Sequence, residues 1–354
     1  MDVNNLMELY TDYLIACPGQ ITATGLSNML DNDLSHDMIT RLLSSGEINS
    51  KTLWQYVKPM CEEISDPEGV LILDDSVEAK RYTDPSTLIS WHYDHCVGRA
   101  VKGVNFMTAL YHNHEISVPV GVEYILKDRQ VVNKNGKISY TSSRTKNELF
   151  RELIKQSSRN IDFSYVLADS WFCAAQNMDF IVKVIKRHFI IGMKDNRRVA
   201  LSKEDKQAGR YVSINKLELE GRTMSVYIER LDFPILITKQ VFKNGDGSTG
   251  ALYLASDDLN LTYQQITTIY KKRWKVEHYH KCIKSNAGFA KSPTRTIQTQ
   301  MSHFTASIMA FVKYERLSVS HNKSYQALKT KLLLTATRAA WIQLNQLSTT
   351  EIAV

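Results

Sequence analysis

Three acidic residues stand where a carboxylate could take part in metal chemistry. Asp75 and Asp169 end the short apolar runs of "VLILDDS" and "FSYVLADSWF", and Glu277 lies in a later helical stretch. Functional side chains commonly leave a sheet at the ends of its buried strands. Carboxylate oxygens suit Mg²⁺, and two such ions support phosphoryl transfer. A simpler interpretation is that Asp74 or Asp75 closes a turn and that Asp169 caps the next helix.

The stretch "YKKRWKVEHYHKCIK", which begins at Tyr270, surrounds its one acid with five lysines and one arginine. At about 100° per residue, a continuous helix would carry on one face, within about 60°, Tyr270, Arg273, Glu277 and Lys284. That face could hold a metal ion through the carboxylate and phosphate oxygens through the cations. The alternative is a solvated face on which Glu277 pairs with Arg273 and Lys281.

Charge is unevenly distributed along the chain. The net charge is +7, and residues 270–295 hold eight Lys and Arg against one acid, which is also +7. Residues 1–69 hold three basic residues against eleven acids, or −8. A basic cluster of this kind suits a polyanion such as nucleic acid, and its alternative is a solvated basic surface.

The basic stretch resembles the signature of a known family. The spacing Y-x2-R-x3-E-x6-K is filled by Tyr270, Arg273, Glu277 and Lys284. It resembles the YREK signature of bacterial insertion-sequence transposases, in the cut-and-paste family named after insertion sequence four. The similarity extends beyond these four positions, and over the chain it covers roughly residues 70–320.

The two aspartate motifs add to this resemblance. "LDDS" resembles the first-aspartate motif, usually Asp followed by Ser or Thr, which favours Asp75 over Asp74 as the ligand. "VLADSWF" followed by "HFIIGMKDNRR" resembles the second-aspartate strand and the strand after it. Asp169 is followed here by Ser, where the family more often has Arg or Gly, so only the aspartate is transferred.

The resemblance implies an α/β fold with an RNase H-like catalytic core, in which helices flank a mixed sheet. It implies that Asp75, Asp169 and Glu277 bind two Mg²⁺ ions, for which Mn²⁺ could substitute. The implied activity is cleavage of transposon ends and their joining to target DNA. The implied partners are the terminal inverted repeats, target DNA and, since two ends must meet, a second copy in a homodimer.

The resemblance also implies which side chains contact DNA. In the family, the Tyr, Arg and Lys of the signature lie near the cleaved end, which corresponds to Tyr270, Arg273 and Lys284. Trp274 could stack on a base or pack in the core. Lys281 and Lys102 could add phosphate contacts.

The elements that must position these residues can be predicted from the apolar pattern. Continuous apolar runs at "VLILDDS" and over residues 165–168 predict strands buried on both faces. Residues 104–111 and 116–126 predict a hairpin around "HNHE". Two capping boxes, Thr145 with Glu148 and Thr262 with Gln265, predict helix starts. The second of these helices would run on through the signature.

The N-terminal region predicts helices. "TATGLSNMLDNDLSHDMITRLLSSG" indicates two short helices around a turn at residues 31–35, the second capped by Ser35. We expect their buried face to consist of Leu26, Met29, Leu34, Ile39, Leu42 and Leu43. The pair is either a helix-turn-helix that directs Arg41 toward DNA or a plain structural bundle, and the acidic balance weighs against a strong phosphate contact.

Changes in pattern predict five segments. These are an N-terminal helical domain over 1–66, the first part of the core over 67–199, a β-rich insertion over 200–256, the second part of the core over 257–320, and a C-terminal helical region over 321–354. The separation of 108 positions between Asp169 and Glu277 leaves room for that insertion.

Composition excludes some classes of protein. The first residues lack a basic leader before an apolar run, and no stretch approaches a membrane span, so we expect no secretory signal and no membrane partner. The five scattered cysteines contain no CxxC, which argues against a zinc knuckle and for reduced thiols. We therefore expect a bacterial cytoplasmic, nucleoid-associated protein.

The sequence favours a DNA transposase. An RNase H-like nuclease without strand transfer would share the same carboxylates. A protein that binds DNA without catalysis could also keep this fold. Only activity separates the three.

Overall fold

The computed structural model describes residues 2–94, 97–132, 135, 136, 138–243 and 245–351. The chain forms two compact units. One consists of Met1–Tyr56 together with Tyr279–Val354, and the other is Val57–His278.

The second unit is built around a nine-stranded mixed sheet. The strands of the chain, some of which form two small separate ladders, are β1 (Val70–Ala79), β2 (Ser90–Asp94), β3 (Arg99–Asn113), β4 (Ile116–Tyr124), β5 (Arg129–Val132), β6 (Ile138–Thr141), β7 (Tyr165–Ala168), β8 (His188–Met193), β9 (Arg198–Val199), β10 (Val212–Ser213), β11 (Thr223–Val226), β12 (Ile235–Lys243) and β13 (Thr249–Ser256).

The helices complete the element list. They are α1 (Val3–Ala16), α2 (Ala23–Met29), α3 (His36–Ser44), α4 (Ser50–Ile64), α5 (Lys146–Ser157), α6 (Ala175–Asp179), α7 (Lys203–Gln207), α8 (Tyr263–Lys271), α9 (Trp274–Ser285), α10 (Ile297–His321) and α11 (Tyr325–Glu351). Among the described residues, none of these helices combines the length and apolarity needed to cross a bilayer.

The core of the sheet has the mixed pairing expected of an RNase H-like fold. β1 pairs antiparallel with β3, β3 pairs antiparallel with β4, and β1 and β8 lie on either side of β7 in parallel pairs. The apolar residues 70–73 of β1 are fully buried, as their continuous run predicts. The predicted fold class, a mixed sheet flanked by helices, is confirmed.

The strands predicted over 200–256 are present, and three of them continue the main sheet. β13 pairs antiparallel with β8, and β12 and β11 follow in order at that edge. β10 pairs instead with β9, which precedes this segment, in a separate two-stranded sheet. The boundaries of the five segments stay predictions.

Helices cover both faces of the central strands. On one face α5 packs on β3 and β4, and a methyl group at Gly121 would lie only 2.9 Å from Cδ2 of Leu153. On the other face α8 packs on β8, where a methyl group at Gly192 would lie 3.1 Å from the hydroxyl of Tyr270. Both predicted capping boxes start these helices. Glycine at these two points therefore lets a helix approach the sheet closely.

The first unit is helical. α1 and α3 pack against α10, and the hydroxyl of Tyr10 lies 2.9 Å from Nδ1 of His303 inside that packing. α2 and α3 flank the predicted turn, in which Asp31 and Asn32 have positive φ, and Ser35 caps α3. The predicted buried face is confirmed except at Met29, which is 59% exposed because it ends α2 beside the turn.

Two helical stretches are irregular. After β7, the short helix α6 is followed by a π-helical turn over Phe180–Ile185. The helix predicted to run through the signature is divided into α8 and α9 at residues 272 and 273. The cause at the second break is a tightened turn, in which the amides of Arg273 and Lys275 bond to carbonyls three residues back.

We expect His112 to make the fold acid-sensitive. Burial lowers the pKa of this β3 histidine to about 4, with a smaller contribution from Lys275 and Lys272. The unfolded chain therefore binds the proton first, and the free energy of unfolding should fall as pH drops from about 6.5 toward 4.

Chemical denaturation at pH 7 and pH 5 measures this effect. His112→Asn should reduce the loss of stability by up to about 1.4 kcal/mol per pH unit. The exposed His321→Asn is the matched control. An unchanged pH dependence in His112→Asn would contradict the expectation.

Candidate active site

The register of two parallel strands brings two aspartates together. Leu73 of β1 lies opposite Ala168 of β7, so the next residues, Asp74 and Asp169, are neighbours on one face. Asp75 follows on the opposite face, because successive side chains of a strand alternate. The aspartate beside Asp169 is therefore Asp74.

Arg273 links this pair to the signature glutamate. Its guanidinium lies 3.3 Å from Oδ2 of Asp74 and 2.8 Å from Oε1 of Glu277. The arginine side chain is only 11% exposed, and its Nε is buried without a hydrogen-bond partner among the described residues. The guanidinium thus bridges the first-strand carboxylate and the helical one.

Asp74 and Asp169, both partly buried, carry an electrostatic cost. Burial raises the pKa of Asp74 to about 7, Asp169 adds to the rise, and Arg273 opposes it. Burial also raises the pKa of Asp169, while the amide of Trp171 and then Arg273 oppose the rise and Asp75 adds to it. These aspartates stabilise a positive charge between them, since desolvation and mutual repulsion disfavour two bare carboxylates.

Asp75 has a different partner. Its Oδ2 lies 2.7 Å from Nζ of Lys146, the first residue of α5. The ammonium group of Lys146 also lies 5.6 Å from the ring centroid of Trp171. Asp75 is near enough to influence Asp169, but its carboxylate is paired on the α5 side.

The side chains of this site carry suitable donor atoms for a hard cation, but they are not arranged around a common point. Asp74, Asp75, Asp169 and Glu277 offer only carboxylate oxygens, the ligands that Mg²⁺ prefers. Among the described residues, however, no three His, Cys, Asp or Glu side chains gather closely enough to hold a metal ion. The guanidinium of Arg273 supplies the positive charge in this arrangement.

Asp169 also does what its simpler interpretation predicts. Its side chain accepts a hydrogen bond of 2.9 Å from the amide of Trp171 and caps the short 3₁₀ turn over Ser170–Phe172. A cap fixes the rotamer of the carboxylate, so the structural and functional interpretations are compatible.

Tyr270 is buried rather than presented to a ligand. It is 4% exposed, and its hydroxyl donates a hydrogen bond of 3.2 Å to the carbonyl of Ala168. The tyrosine therefore anchors α8 to the strand that ends at Asp169. Its predicted DNA contact would require that bond to open.

Trp274 lies at the surface beside Arg273. The indole is 54% exposed, and the guanidinium carbon lies 5.4 Å from its ring centroid. Both residues line a cavity of about 550 Å³ whose other walls include Phe242 and Leu252 of the strands β12 and β13. An exposed indole held by an arginine is a suitable surface for stacking on a base.

The other predicted DNA contacts lie on α3, α9 and β3. On α9, Lys281 is exposed and Lys284 is half-buried, and both lie in the part of the helix that belongs to the first unit. The exposed Arg41 of α3 belongs to the same unit. Lys102 lies six residues along β3 from Thr108, the partner of Asp74, or about 20 Å away at about 3.4 Å per residue.

The sequence did not single out two residues of this site. Asp74 was set aside in favour of its neighbour, and Lys146 stood only as the first residue of a capped helix. Register would have distinguished the two aspartates, and no feature of the sequence pointed to the lysine.

Two family models match the chain. A model described as DDE superfamily endonuclease matches residues 2–211, and a model described as transposase DDE domain matches residues 134–312. Each covers more than half of the chain, which therefore belongs to the DDE superfamily of endonucleases and transposases.

Other comparisons are more distant. The chain is similar to that of a solved structure described as the Drosophila P element transposase strand transfer complex, at 10% identity and a TM-score of 0.28. That similarity covers 90% of this chain and 60% of the other, so the chain spans less than two thirds of that protein. A comparison with curated proteins finds no match.

We expect Arg273 to be a main support of the site in the free protein. Arg273→Met would leave the partly buried Asp74 without its cation. The loss of one partner of a fully buried pair typically costs about 3–5 kcal/mol, so we expect a smaller loss here, where the Asp74 side chain is 17% exposed. The loss should be largest at pH 8 and should shrink at pH 5.5, where Asp74 is neutral.

Denaturation of single and double variants in EDTA tests this interaction. Asp74→Asn should restore much of the stability that Arg273→Met removes. The control is Lys275→Met, because Lys275 pairs with the 81% exposed Glu115, and such surface pairs contribute about 0–1 kcal/mol. Equal losses in the two single-residue Met variants would contradict the interpretation.

Proposed function

We propose that this protein is a DNA transposase that cleaves transposon ends and joins them to target DNA by metal-dependent phosphoryl transfer. The observation that carries the proposal is the ion-paired group formed by Asp74, Arg273 and Glu277, with Asp169 beside it. It unites both aspartate motifs with the signature in a chain of the DDE superfamily.

The proposed cofactor is Mg²⁺, as two ions, with Mn²⁺ able to substitute. Asp169, Glu277 and a first-strand aspartate would hold it, and it would supply Lewis acidity to the phosphoryl oxygens. Of the adjacent aspartates, we propose Asp74 as the ligand on the face of Asp169. The motif instead predicts Asp75, which stays the competing prediction.

The proposed reaction has two transfer steps. Water attacks the phosphodiester at the transposon end and leaves a 3′-hydroxyl. That hydroxyl then attacks a second phosphodiester, so no covalent protein–DNA intermediate is required. Arg273 would exchange a carboxylate partner for a phosphate oxygen as the DNA enters, since a guanidinium binds either group through the same planar donors.

Other side chains would hold the DNA. Trp274, exposed and next to Arg273, would stack on a base near the cleaved end. Lys281 and Lys284 would contact phosphates farther along the strand. The signature supports placing the chain in the YREK group of bacterial transposases. Because two ends must be joined, we propose a homodimer in the DNA-bound complex.

A second candidate is a nuclease of the same fold that cleaves without joining. It is favoured by one observation, that the model matching residues 2–211 is described as an endonuclease. It would use the same carboxylates.

One assay separates these functions. The full chain is incubated with Mg²⁺, a target plasmid and duplexes ending in the inverted repeats that flank its own gene. Joined products are expected. Nicks without joining would replace the transposase by the nuclease, and a bound duplex that is never cut would contradict both.

We expect substitutions of the carboxylates to abolish cleavage without preventing DNA binding. Asp169→Asn and Glu277→Gln should lower the rate by more than about 100-fold, since even outer-shell partners of a metal typically contribute about 10–100-fold. Full cleavage by Glu277→Gln would refute the proposed site.

The adjacent aspartates offer a matched comparison. Asp74→Asn should be as inactive as Asp169→Asn, while Asp75→Asn should keep more activity because its carboxylate is paired with Lys146. The opposite order would restore Asp75 as the ligand, as the motif predicts.

A further inference from the structure

A second cavity of the Val57–His278 unit is lined by arginines. It measures about 730 Å³ and is bounded by Gln176, Arg197, Arg198, Tyr211, Glu229 and Arg230, with small or apolar residues between them. These ten lining residues include three cations and one acid, a net charge of +2. The size is that of a site for one nucleotide-sized group, given that ligand pockets typically span about 300–1,000 Å³.

The backbone that carries two of the arginines is fixed. Arg198 begins β9, where it pairs with Ser213 of β10, and the amide of Ile214 donates a hydrogen bond of 2.9 Å to the carbonyl of Arg197. Gly209, with φ of +68°, turns the chain toward Tyr211 at the opposite side of the ladder. The arginines therefore project from an ordered ladder.

Arg198 and Tyr211 form a ready-made planar surface. The guanidinium carbon lies 5.8 Å from the centroid of the phenol ring, and the guanidinium donates a hydrogen bond of 3.4 Å to the carbonyl of Tyr211. Guanidinium and aromatic planes both stack on bases, and guanidinium donors also match phosphate oxygens. The pair can thus receive both parts of a nucleotide.

The other two arginines lack acidic partners. In the described part of the chain, neither Arg197 nor Arg230 forms an ion pair with a carboxylate. The acidic Glu229 is exposed at the rim. Two unneutralised guanidinium groups in one concave surface favour a polyanion.

The cavity adjoins the chain that leaves the candidate active site. Asp169 directly follows β7, and the cavity wall begins five residues later at Ala174. Cys173 is buried between the two: burial raises the pKa of its thiol, Arg197 opposes that rise and Asp169 adds to it. Arg197 and the second aspartate therefore act on the same buried side chain.

We propose that this arginine cavity binds one phosphate and the adjoining unpaired nucleotide of a DNA strand whose scissile phosphate lies at the carboxylates. The inference rests on the proposed function, since it takes DNA as the substrate. It adds a second site that the signature does not include. Arg197 and Arg230 contact the phosphate, and Tyr211 with Arg198 stacks on the base.

Fluorescence anisotropy on the full chain tests this site. The probes are a labelled 20-nucleotide single strand and a 20-base-pair duplex, titrated in EDTA over about 50–200 mM salt, the range in which phosphate contacts change affinity strongly. The test variant combines Arg197→Gln, Arg198→Gln and Arg230→Gln. The charge-matched control combines Arg81→Gln, Arg129→Gln and Arg159→Gln, three exposed positions that do not line the cavity.

The cavity variant should bind the single strand at least about 10-fold more weakly than the control. Its slope of log K against log salt should be shallower by about 0.7 for each lost phosphate contact. Equal affinities and equal slopes for the two triple variants would overturn the proposal. If the wild type binds neither probe, the proposed function itself fails, which is a distinct outcome.

Two further variants protect the test against misfolding and define the ligand. Arg230→Glu, a single change at an exposed position, should weaken binding of both probes while the melting temperature stays that of the wild type. Tyr211→Leu should weaken binding of the single strand about fivefold or more and the duplex less, because stacking needs an unpaired base. An equal effect of Tyr211→Leu on both probes, or no effect, would refute the nucleotide pocket.

Discussion

The pairing of the Arg273 guanidinium with the carboxylates of Asp74 and Glu277 is the interaction on which the site depends. Partial burial disfavours the ionised forms of Asp74 and Asp169 and raises the pKa of both carboxyl groups. The guanidinium of Arg273 offsets this cost, and its planar donors also match phosphate oxygens. The same cation is available to an incoming phosphate group.

The fold creates this constraint through strand register and close helix approach. The parallel pair of β1 and β7 sets Asp74 beside Asp169, and no other register would do so. Gly192 leaves room for the hydroxyl of Tyr270, which ties α8 to the carbonyl of Ala168. The tightened turn after α8 then directs Arg273 back toward the sheet while Trp274 stays at the surface.

Sequence patterns predicted the secondary-structure elements more accurately than they predicted the contacts between side chains. Apolar runs and capping boxes identified β1, β7, α5 and α8, because burial on both faces and helix capping are local properties. The choice between Asp74 and Asp75 depends on which face of β1 meets β7, and that is a non-local property. Tyr270 was assigned to a ligand-binding face by helical periodicity, which fails where the helix is broken at residues 272 and 273. The strands of the predicted insertion were found, but their pairing with β8 could not be deduced from their alternation alone.

That pairing has a consequence for how the segment 197–252 contributes to binding. β13, β12 and β11 continue the sheet beyond β8. Because β8 is the strand next to β7, which Asp169 directly follows, the added strands extend the sheet on the β8 side of Asp169. One cavity uses Phe242 and Leu252 of these strands together with Trp274, and the other uses arginines of the β9 segment together with the chain that follows Asp169. An extension of the core sheet can thus supply binding surfaces on rigid backbone, where side chains lose little conformational freedom on meeting a ligand. A separate, loosely attached module would have to be ordered at each encounter.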